Sequence, residues 1–196
     1  MNTWYSPISF GKQADSTLRS LHLRLRDFRG NDPAYRNISD EGRNGEWIMG
    51  FSIPPFQRDH VWTQEQEIAF VNSARRRLHL GTYTFNITAG MKEARRVDEN
   101  GREYYFADLW LLDGMQRLTA LQRFFDNEFP VAGSYWSDVS EENRRFFLSD
   151  VHFASYETNL VDEAVMREMY DAMNFGGTAH REEERAVSRH STIASP

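Results

Sequence analysis

The segment LLDGMQRLTALQRFF, residues 111–125, constrains the fold most, because its apolar pattern changes period within a few residues. The residues up to Leu112 continue a β-rich run, whereas the apolar residues that follow recur at helical spacing, at Leu118, Leu121 and Phe125. A strand must therefore pass into a helix across residues 113–116. The first backbone N–H groups of such a helix have no acceptor within it, and they attract anions, especially phosphate.

The remaining pattern predicts further helices and strands around this junction. The predicted helices cover 15–28, 64–80 and 162–173, and the predicted strands cover 47–53, 82–89, 103–112 and 151–156. Thr63 and Gln66 have capping-box spacing, and Gly81 would end the second helix, in which Ile68, Val71 and Leu78 lie on one face. We expect strands 82–89 and 103–112 to pair as a hairpin.

These elements predict an α+β fold, with a small mixed or antiparallel sheet and packed helices. At 196 residues the chain is long enough for one domain with an appended arm. Residues 1–46 would form an N-terminal arm of one helix and a long polar loop, since 30–46 is rich in turn formers. Residues 47–185 would form the domain, and residues 186–196 would form an exposed tail.

Composition excludes several classes of protein. No apolar run approaches the roughly 18 residues that a membrane helix needs, and the N-terminus lacks the pattern of a signal peptide, so we expect no membrane partner. The absence of cysteine removes disulfides, thiolate nucleophiles and Cys-ligated zinc, which is consistent with a cytoplasmic protein. The net charge of -6 argues against a uniformly basic surface for nucleic acid.

Four residues at the strand-to-helix junction have side chains or backbones suited to a phosphorylated ligand. Gly114 lets a ligand approach the backbone, and Arg117 can form paired hydrogen bonds with phosphate oxygens. Asp113 can hold a divalent cation or accept a proton, and Gln116 can orient water. The alternative is a purely structural turn in which Asp113 caps the helix and Arg117 lies in solvent.

A second segment, SIPPFQRDHVW at 52–62, repeats the Gln-Arg pair at Gln57 and Arg58. Its two prolines lower the entropy that is lost when the loop is ordered, and Trp62 could stack on a nucleobase. The alternative is that Trp62 is a core anchor and that Arg58 belongs to a structural ion pair. We interpret His60 as a packing or solvent-exposed residue.

Three stretches together resemble a known family. IPPFQRDHVW, LLDGMQRLTALQRFF and MYDAMNFGGTAHREEE are similar to the three successive signatures of the GmrS-type domain, the DGQQR-bearing module of GmrSD modification-dependent restriction systems. That domain belongs to the wider group of ParB-like and sulfiredoxin-like folds. The resemblance covers about residues 47–185, with the signatures in the same order.

The resemblance implies a module that binds and hydrolyses a nucleoside triphosphate with Mg²⁺, or in an alternative reading cuts DNA, and that acts in defence against foreign DNA. It implies that Asp113, Gly114, Gln116 and Arg117 form the phosphate and metal end of a pocket. The remaining pocket residues that it implies are Gln57, Arg58, Asn174, Gly176 and Gly177. The chain departs from the family pattern at Met115, where the family usually has glutamine.

Three hypotheses about function follow. The first is a stand-alone NTPase in which Arg58 and Arg117 hold the triphosphate, Asp113 places Mg²⁺ and Gln116 positions water. The second, prompted by Met115 and by the expectation that 196 residues leave no room for a separate nuclease domain, is a binding or regulatory module, such as a phage or mobile-element protein, that engages DNA or a restriction-complex protein. The third is a metal-dependent nuclease that nicks DNA through Asp113.

Overall fold

The computed structural model describes residues 11–30 and 45–175. In these residues the chain forms five α-helices and eight short strands, which confirms the predicted α+β class. The helices are α1 (Leu18–Arg29), α2 (Gln64–Arg75), α3 (Met115–Phe125), α4 (Glu141–Asp150) and α5 (Glu163–Phe175). The strands are β1 (Lys12–Ala14), β2 (Trp47–Ile48), β3 (Phe51–Ser52), β4 (Thr82–Asn86), β5 (Arg95–Val97), β6 (Glu103–Tyr105), β7 (Leu111–Asp113) and β8 (Ala154–Thr158).

The main sheet has four strands in the order β1-β8-β4-β7 and is mixed, which is one of the two predicted forms. The central pair, β4 and β8, is parallel, and the two outer pairs are antiparallel. Asp113 at the end of β7 is in register with Thr84 of β4. The junction between β7 and α3 therefore lies at one edge of the sheet.

Strand β7 is buried on both faces, which explains its continuous apolar run. Leu111 belongs to the larger core cluster, together with the buried residues of α1 and α3. Leu112 belongs to a second cluster, in which α5 contributes Met166, Met169 and Tyr170. Because adjacent strand residues point to opposite faces, α3 and α5 pack on opposite sides of this strand.

The predicted strand 47–53 is instead a tight hairpin. Trp47 pairs with Ser52 and Ile48 with Phe51, which leaves Met49 and Gly50 as a two-residue turn. Both turn residues have positive φ, 54° and 78°, as a type I′ turn requires. The prediction of a single strand was wrong because methionine in the left-handed conformation gives no signal in the sequence.

The predicted hairpin between 82–89 and 103–112 is only partly correct. Strand β4 does pair antiparallel with β7, which is the end of the second run. The beginning of that run is β6, which pairs with β5 instead. Ala107 and Leu109 separate β6 from β7 with positive φ of 57° and 59°, so the run that we predicted as one strand is broken in two.

Helix α2 ends five residues before the predicted position. The Arg77 N–H bonds to the Ala74 carbonyl and the Leu78 N–H to the Ser73 carbonyl, and Arg77 has a φ of 56°. These two bonds form a Schellman motif with an arginine in the position where glycine is usual. The prediction that Gly81 ends the helix was therefore wrong, and Leu78, which was predicted to share a helical face with Ile68 and Val71, lies beyond the helix and is exposed.

The other predicted elements compare as follows. The helices at 15–28 and 162–173 are confirmed as α1 and α5, and the strand at 151–156 is shifted to β8. Sequence analysis missed β1, β5 and α4. The predicted boundary between an N-terminal arm and the domain at residue 46 stays a prediction. Residues on the two sides of this boundary share a sheet and a core, because β1 pairs with β8 and Leu18 of α1 lies in the same core as Leu118. No helix in the described ranges is long and apolar enough to cross a bilayer.

The predicted capping box at the start of α2 is present. The Gln66 N–H donates to the Thr63 hydroxyl, and the Thr63 N–H donates to the Gln66 side chain. Thr63→Ala is expected to lower the free energy of unfolding by about 1 kcal/mol, as measured by urea denaturation. Thr17 precedes α1 without a side-chain cap, so Thr17→Ala is the matched control, and an equal loss in both variants would contradict the prediction.

Candidate functional site

The junction between β7 and α3 has an open helix N-terminus. Gly114 occupies the N-cap position with a φ of 92°, and no side chain caps the helix. The structural alternative in which Asp113 caps α3 is therefore wrong. A Cβ atom at Gly114 would lie 2.6 Å from the Cβ of Tyr83, so both the conformation and the lack of space require glycine.

A cavity of about 100 Å³ lies at this junction. Three segments line it: the loop after β3, the β7–α3 junction and the end of α5. Its lining includes every predicted site residue that the structure describes, namely Gln57, Arg58, Trp62, Asp113, Gly114, Gln116, Arg117 and Asn174, together with Met115. Gly176 and Gly177 lie outside the described residues. The predicted residues thus come together in space, while their roles in binding stay predictions.

The two glutamines of the Gln-Arg pairs brace the loop and the junction against each other. Gln57 is buried and donates from Nε2 to the Leu111 carbonyl at 3.1 Å. Gln116 is also buried, and its Oε1 accepts from the N–H groups of Val61 at 3.0 Å and Trp62 at 3.2 Å. Its Nε2 donates to the Asp59 carbonyl at 3.1 Å. Each glutamine therefore binds the backbone of the segment that carries the other.

The two arginines of these pairs differ in their partners. Arg117 Nη2 lies 2.7 Å from Asp113 Oδ2, and both side chains are about one quarter exposed, at 22% and 26%. The structural alternative required Arg117 to lie free in solvent, and this ion pair contradicts it. The Arg58 guanidinium lies in the same cavity and forms no ion pair with any residue in the described part of the chain.

Helix α5 supports the loop from the other side. The Arg58 N–H donates to the hydroxyl of Tyr170 at 3.3 Å, and Asn174 donates to the Tyr170 carbonyl at 2.8 Å. Burial raises the pKa of Tyr170, against the opposing effect of the Arg58 N–H and charge, so this phenol is neutral at physiological pH. Sequence analysis missed Tyr170 because its spacing with Met166 and Met169 indicates only a packed helical face.

A buried carboxylate next to the loop was also missed. Glu67 has a fully buried side chain, and its Oε2 lies 2.6 Å from Arg123 Nη1 on α3. Its Oε1 lies 2.8 Å from His60 Nε2, close enough for an ion pair but not aligned as a hydrogen bond. The spacing of Glu67 with the inward-facing Val71 and Ala74 was the signal that could have revealed it. His60 is thus a partly buried partner of Glu67.

The remaining lining residues connect the cavity to the core. The ring of Trp62 lies 5.6 Å from that of Phe70 in an edge-on arrangement, and Trp62 is partly buried against the main core. Met115 is 6% exposed and belongs to the same core cluster. Three larger cavities, of about 560, 580 and 320 Å³, lie elsewhere and contain none of the predicted site residues.

The described residues contain no group of three histidine, cysteine, aspartate or glutamate side chains that could hold a metal by themselves. Asp113 is the carboxylate among the described residues that line the cavity. One carboxylate is enough for Mg²⁺ that arrives with a phosphate ligand, because this ion keeps several waters and uses phosphate oxygens as ligands. It is not enough for a site made of protein side chains alone.

Comparison with known proteins identifies the family. Residues 35–185 match the family described as "GmrSD restriction endonuclease, N-terminal domain". This match covers most of the chain and includes all three segments that line the cavity. No curated protein and no solved structure matched the chain. The family description connects the chain with restriction, and the chain belongs to the family of GmrSD restriction endonuclease N-terminal domains.

Proposed function

We propose that the cavity at the β7–α3 junction binds the phosphates of a nucleoside triphosphate together with Mg²⁺, as the ligand site of a restriction-related module. One observation carries this proposal: Arg58, Arg117 and the uncapped N-terminus of α3 meet at the same small cavity. Two guanidinium groups and free N–H groups at a helix terminus are the groups that bind phosphate most strongly in proteins.

The size of the cavity indicates which part of the ligand it holds. Small-molecule sites are typically about 300–1,000 Å³, whereas this cavity is about 100 Å³. A phosphate group with its waters fits such a volume, and a whole nucleotide does not. The base and sugar would then lie outside the cavity, where the partly buried Trp62 at its lining offers a ring for stacking.

Asp113 and Arg117 would exchange partners when the ligand binds. In the structure they neutralise each other at 2.7 Å. A bound phosphate offers Arg117 a paired acceptor, and Mg²⁺ offers Asp113 a cation, so both charges keep a partner. The metal would supply charge neutralisation at the phosphates, and Asp113 would hold it.

Gln116 would hold the loop in place and would not position a water molecule for hydrolysis. Its amide is buried and makes three contacts with the backbone of 59–62, so we infer that it fixes the loop that carries Arg58. This favours, as a second candidate function, a module that binds the nucleotide without hydrolysing it. Met115 supports the same candidate, because a buried thioether cannot orient water as an amide would.

Thermal unfolding of the purified chain with ATP, GTP, CTP and UTP in the presence of Mg²⁺ tests the binding. A ligand at one hundred times its dissociation constant adds about 2.7 kcal/mol of stability. For a protein of this size the expected rise in Tm is about 5–10 °C. The rise in Tm should disappear in Arg58→Ala and Arg117→Ala, since each variant lacks a guanidinium group that donates hydrogen bonds to the phosphate.

Arg76→Ala is the matched control. This exposed residue lies outside the cavity, and its replacement removes the same charge. A rise that survives in both cavity variants, or no rise with any of the four nucleotides, would contradict the proposed site. Phosphate release by the wild-type chain then separates the two candidate functions, because the binding module would shift the Tm without releasing phosphate.

A further inference from the structure

Arginines without a carboxylate partner concentrate on the face between α1 and α4. Most arginines in the described ranges are paired with a carboxylate or bonded to a neighbouring oxygen. By contrast, Arg19, Arg144 and Arg145 form no ion pair with any described residue, and all three line one cavity of about 560 Å³. Arg144 and Arg145 lie over aromatic rings, of Trp136 at 6.0 Å and Phe146 at 5.3 Å, and an uncharged ring does not neutralise a guanidinium group.

His22 on the wall of this cavity lies close to several arginines. Its pKa is lowered first by burial and then by the charges of Arg26, Arg144 and Arg29. The ring packs against Phe125 at 5.0 Å and Trp136 at 6.0 Å, so it has a fixed place between α1 and α3. The neighbouring charges thus favour the neutral form of His22 and would favour an anion in the cavity.

The two carboxylates that line the cavity do not cancel the positive charge of the three arginines. Glu141 and Glu142 also line the cavity, from the first turn of α4. Three arginines against two glutamates leave a positive lining in a chain whose net charge is -6. Helix α4 has no buried residue, so its arginines are held at the surface, where a large ligand can reach them.

This cavity is separate from the candidate functional site. The two lie at opposite ends of α3, since Gly114 precedes its first residue and His22 packs on Phe125, its last. An 11-residue helix is about 16 Å long. One phosphate group cannot contact both sites.

We propose that the α1–α4 cavity is a second anion site, which binds phosphate groups through Arg19, Arg144 and Arg145. The phosphate could come from a nucleic-acid backbone or from a free phosphate ester, and both present the same oxygens to these arginines. The proposal does not depend on the function of the β7–α3 junction.

The pKa of His22, measured by NMR titration of the whole chain, tests this site. The signal is assigned with His22→Asn, and the titration is repeated with pyrophosphate and with a short DNA duplex. A bound phosphate should raise the pKa of His22, because a nearby negative charge favours the protonated ring. Arg19→Ala and Arg145→Ala should each weaken the binding several-fold, whereas the control Arg76→Ala should not.

The outcomes separate the two sources. A rise in the pKa of His22 with the duplex but not with pyrophosphate assigns the site to a nucleic-acid backbone, and each arginine variant should then lower the salt dependence of binding by about one unit. A rise with pyrophosphate assigns it to free phosphate. An unchanged pKa with both probes, or equal weakening by Arg76→Ala, overturns the proposal. Because His22 is far from Gly114, a ligand that binds only at the β7–α3 junction leaves the pKa of His22 unchanged.

Discussion

Replacing Gly114 with alanine is expected to lower the free energy of unfolding by about 3 kcal/mol. The left-handed conformation costs a residue with a Cβ about 1–2 kcal/mol, and the contact with the Cβ of Tyr83 adds an overpacking term of similar size. The clashing atom is next to the backbone of β4, so it cannot move aside as the end of a flexible side chain would. In a chain of this length the Tm should fall by about 6–12 °C.

Gly90→Ala separates the two contributions. Gly90 has a φ of 84°, close to that of Gly114, but no atom lies within 4 Å of the position that its Cβ would take. This control should lose only the conformational part, about 1–2 kcal/mol. Calorimetric unfolding of both variants measures the difference, and an equal loss would show that Tyr83 gives way to the added methyl group.

Replacing Glu67 with alanine is the second change for which we expect a large effect, a loss of about 3 kcal/mol. Breaking a buried ion pair by removing one partner costs about 3–5 kcal/mol, because the other charge loses its compensation. For Glu67→Ala we expect a loss at the lower end of this range, since the Arg123 side chain is 32% exposed and keeps Glu128 as a partner. His60 also loses the carboxylate beside it, so the loop that carries Arg58 should become more mobile.

Glu128→Ala is the matched control, because Glu128 binds the same guanidinium at the same distance of 2.6 Å. The pKa of Arg123 is raised first by its hydrogen bond to Glu128 and then by that to Glu67. Stability should follow the opposite order, because Glu128 is 44% exposed and Glu67 is fully buried. Urea denaturation should show a loss below about 1 kcal/mol for Glu128→Ala; a larger loss than for Glu67→Ala would contradict the prediction.

The sequence was most informative where patterns of different kinds agreed. The change of period at Leu112 predicted the β7–α3 junction because an alternating run and a helical stripe met at Asp-Gly. The capping box predicted the start of α2 because Thr63 and Gln66 satisfy each other locally. Both features depend on contacts between residues close in the chain, which a single sequence contains.

The failures occurred where the backbone departs from common conformations. Met49, Arg77, Ala107 and Leu109 all have positive φ without being glycine, and each one ends or turns an element that sequence analysis had extended. The Met49 N–H donates to the distant Gln122 side chain and the Leu109 N–H to the distant Asn86 carbonyl, whereas Arg77 is held by the local bonds of the Schellman motif. The residue types themselves do not indicate these conformations.

At the candidate site, the sequence predicted which residues meet but not their contacts. The family resemblance placed both Gln-Arg pairs in the same pocket. In the structure the glutamines bind backbone and the arginines line the cavity, a division that depends on how the loop at 57–62 lies over α3. Sequence analysis did not predict the role of Glu67, because its partners, His60 and Arg123, come from a loop and a helix that only the tertiary fold brings together.

Hydrogen exchange at the start of α3 tests the central claim most directly. The N–H groups of residues 115–117 have no acceptor within the helix, so they should exchange rapidly in the free chain. Saturating nucleotide with Mg²⁺ should slow their exchange, together with that of the loop at 57–62, and Arg58→Ala should remove the effect. Protection elsewhere with no change at 115–117, under conditions in which the nucleotide raises the Tm, would show that the ligand binds at another place.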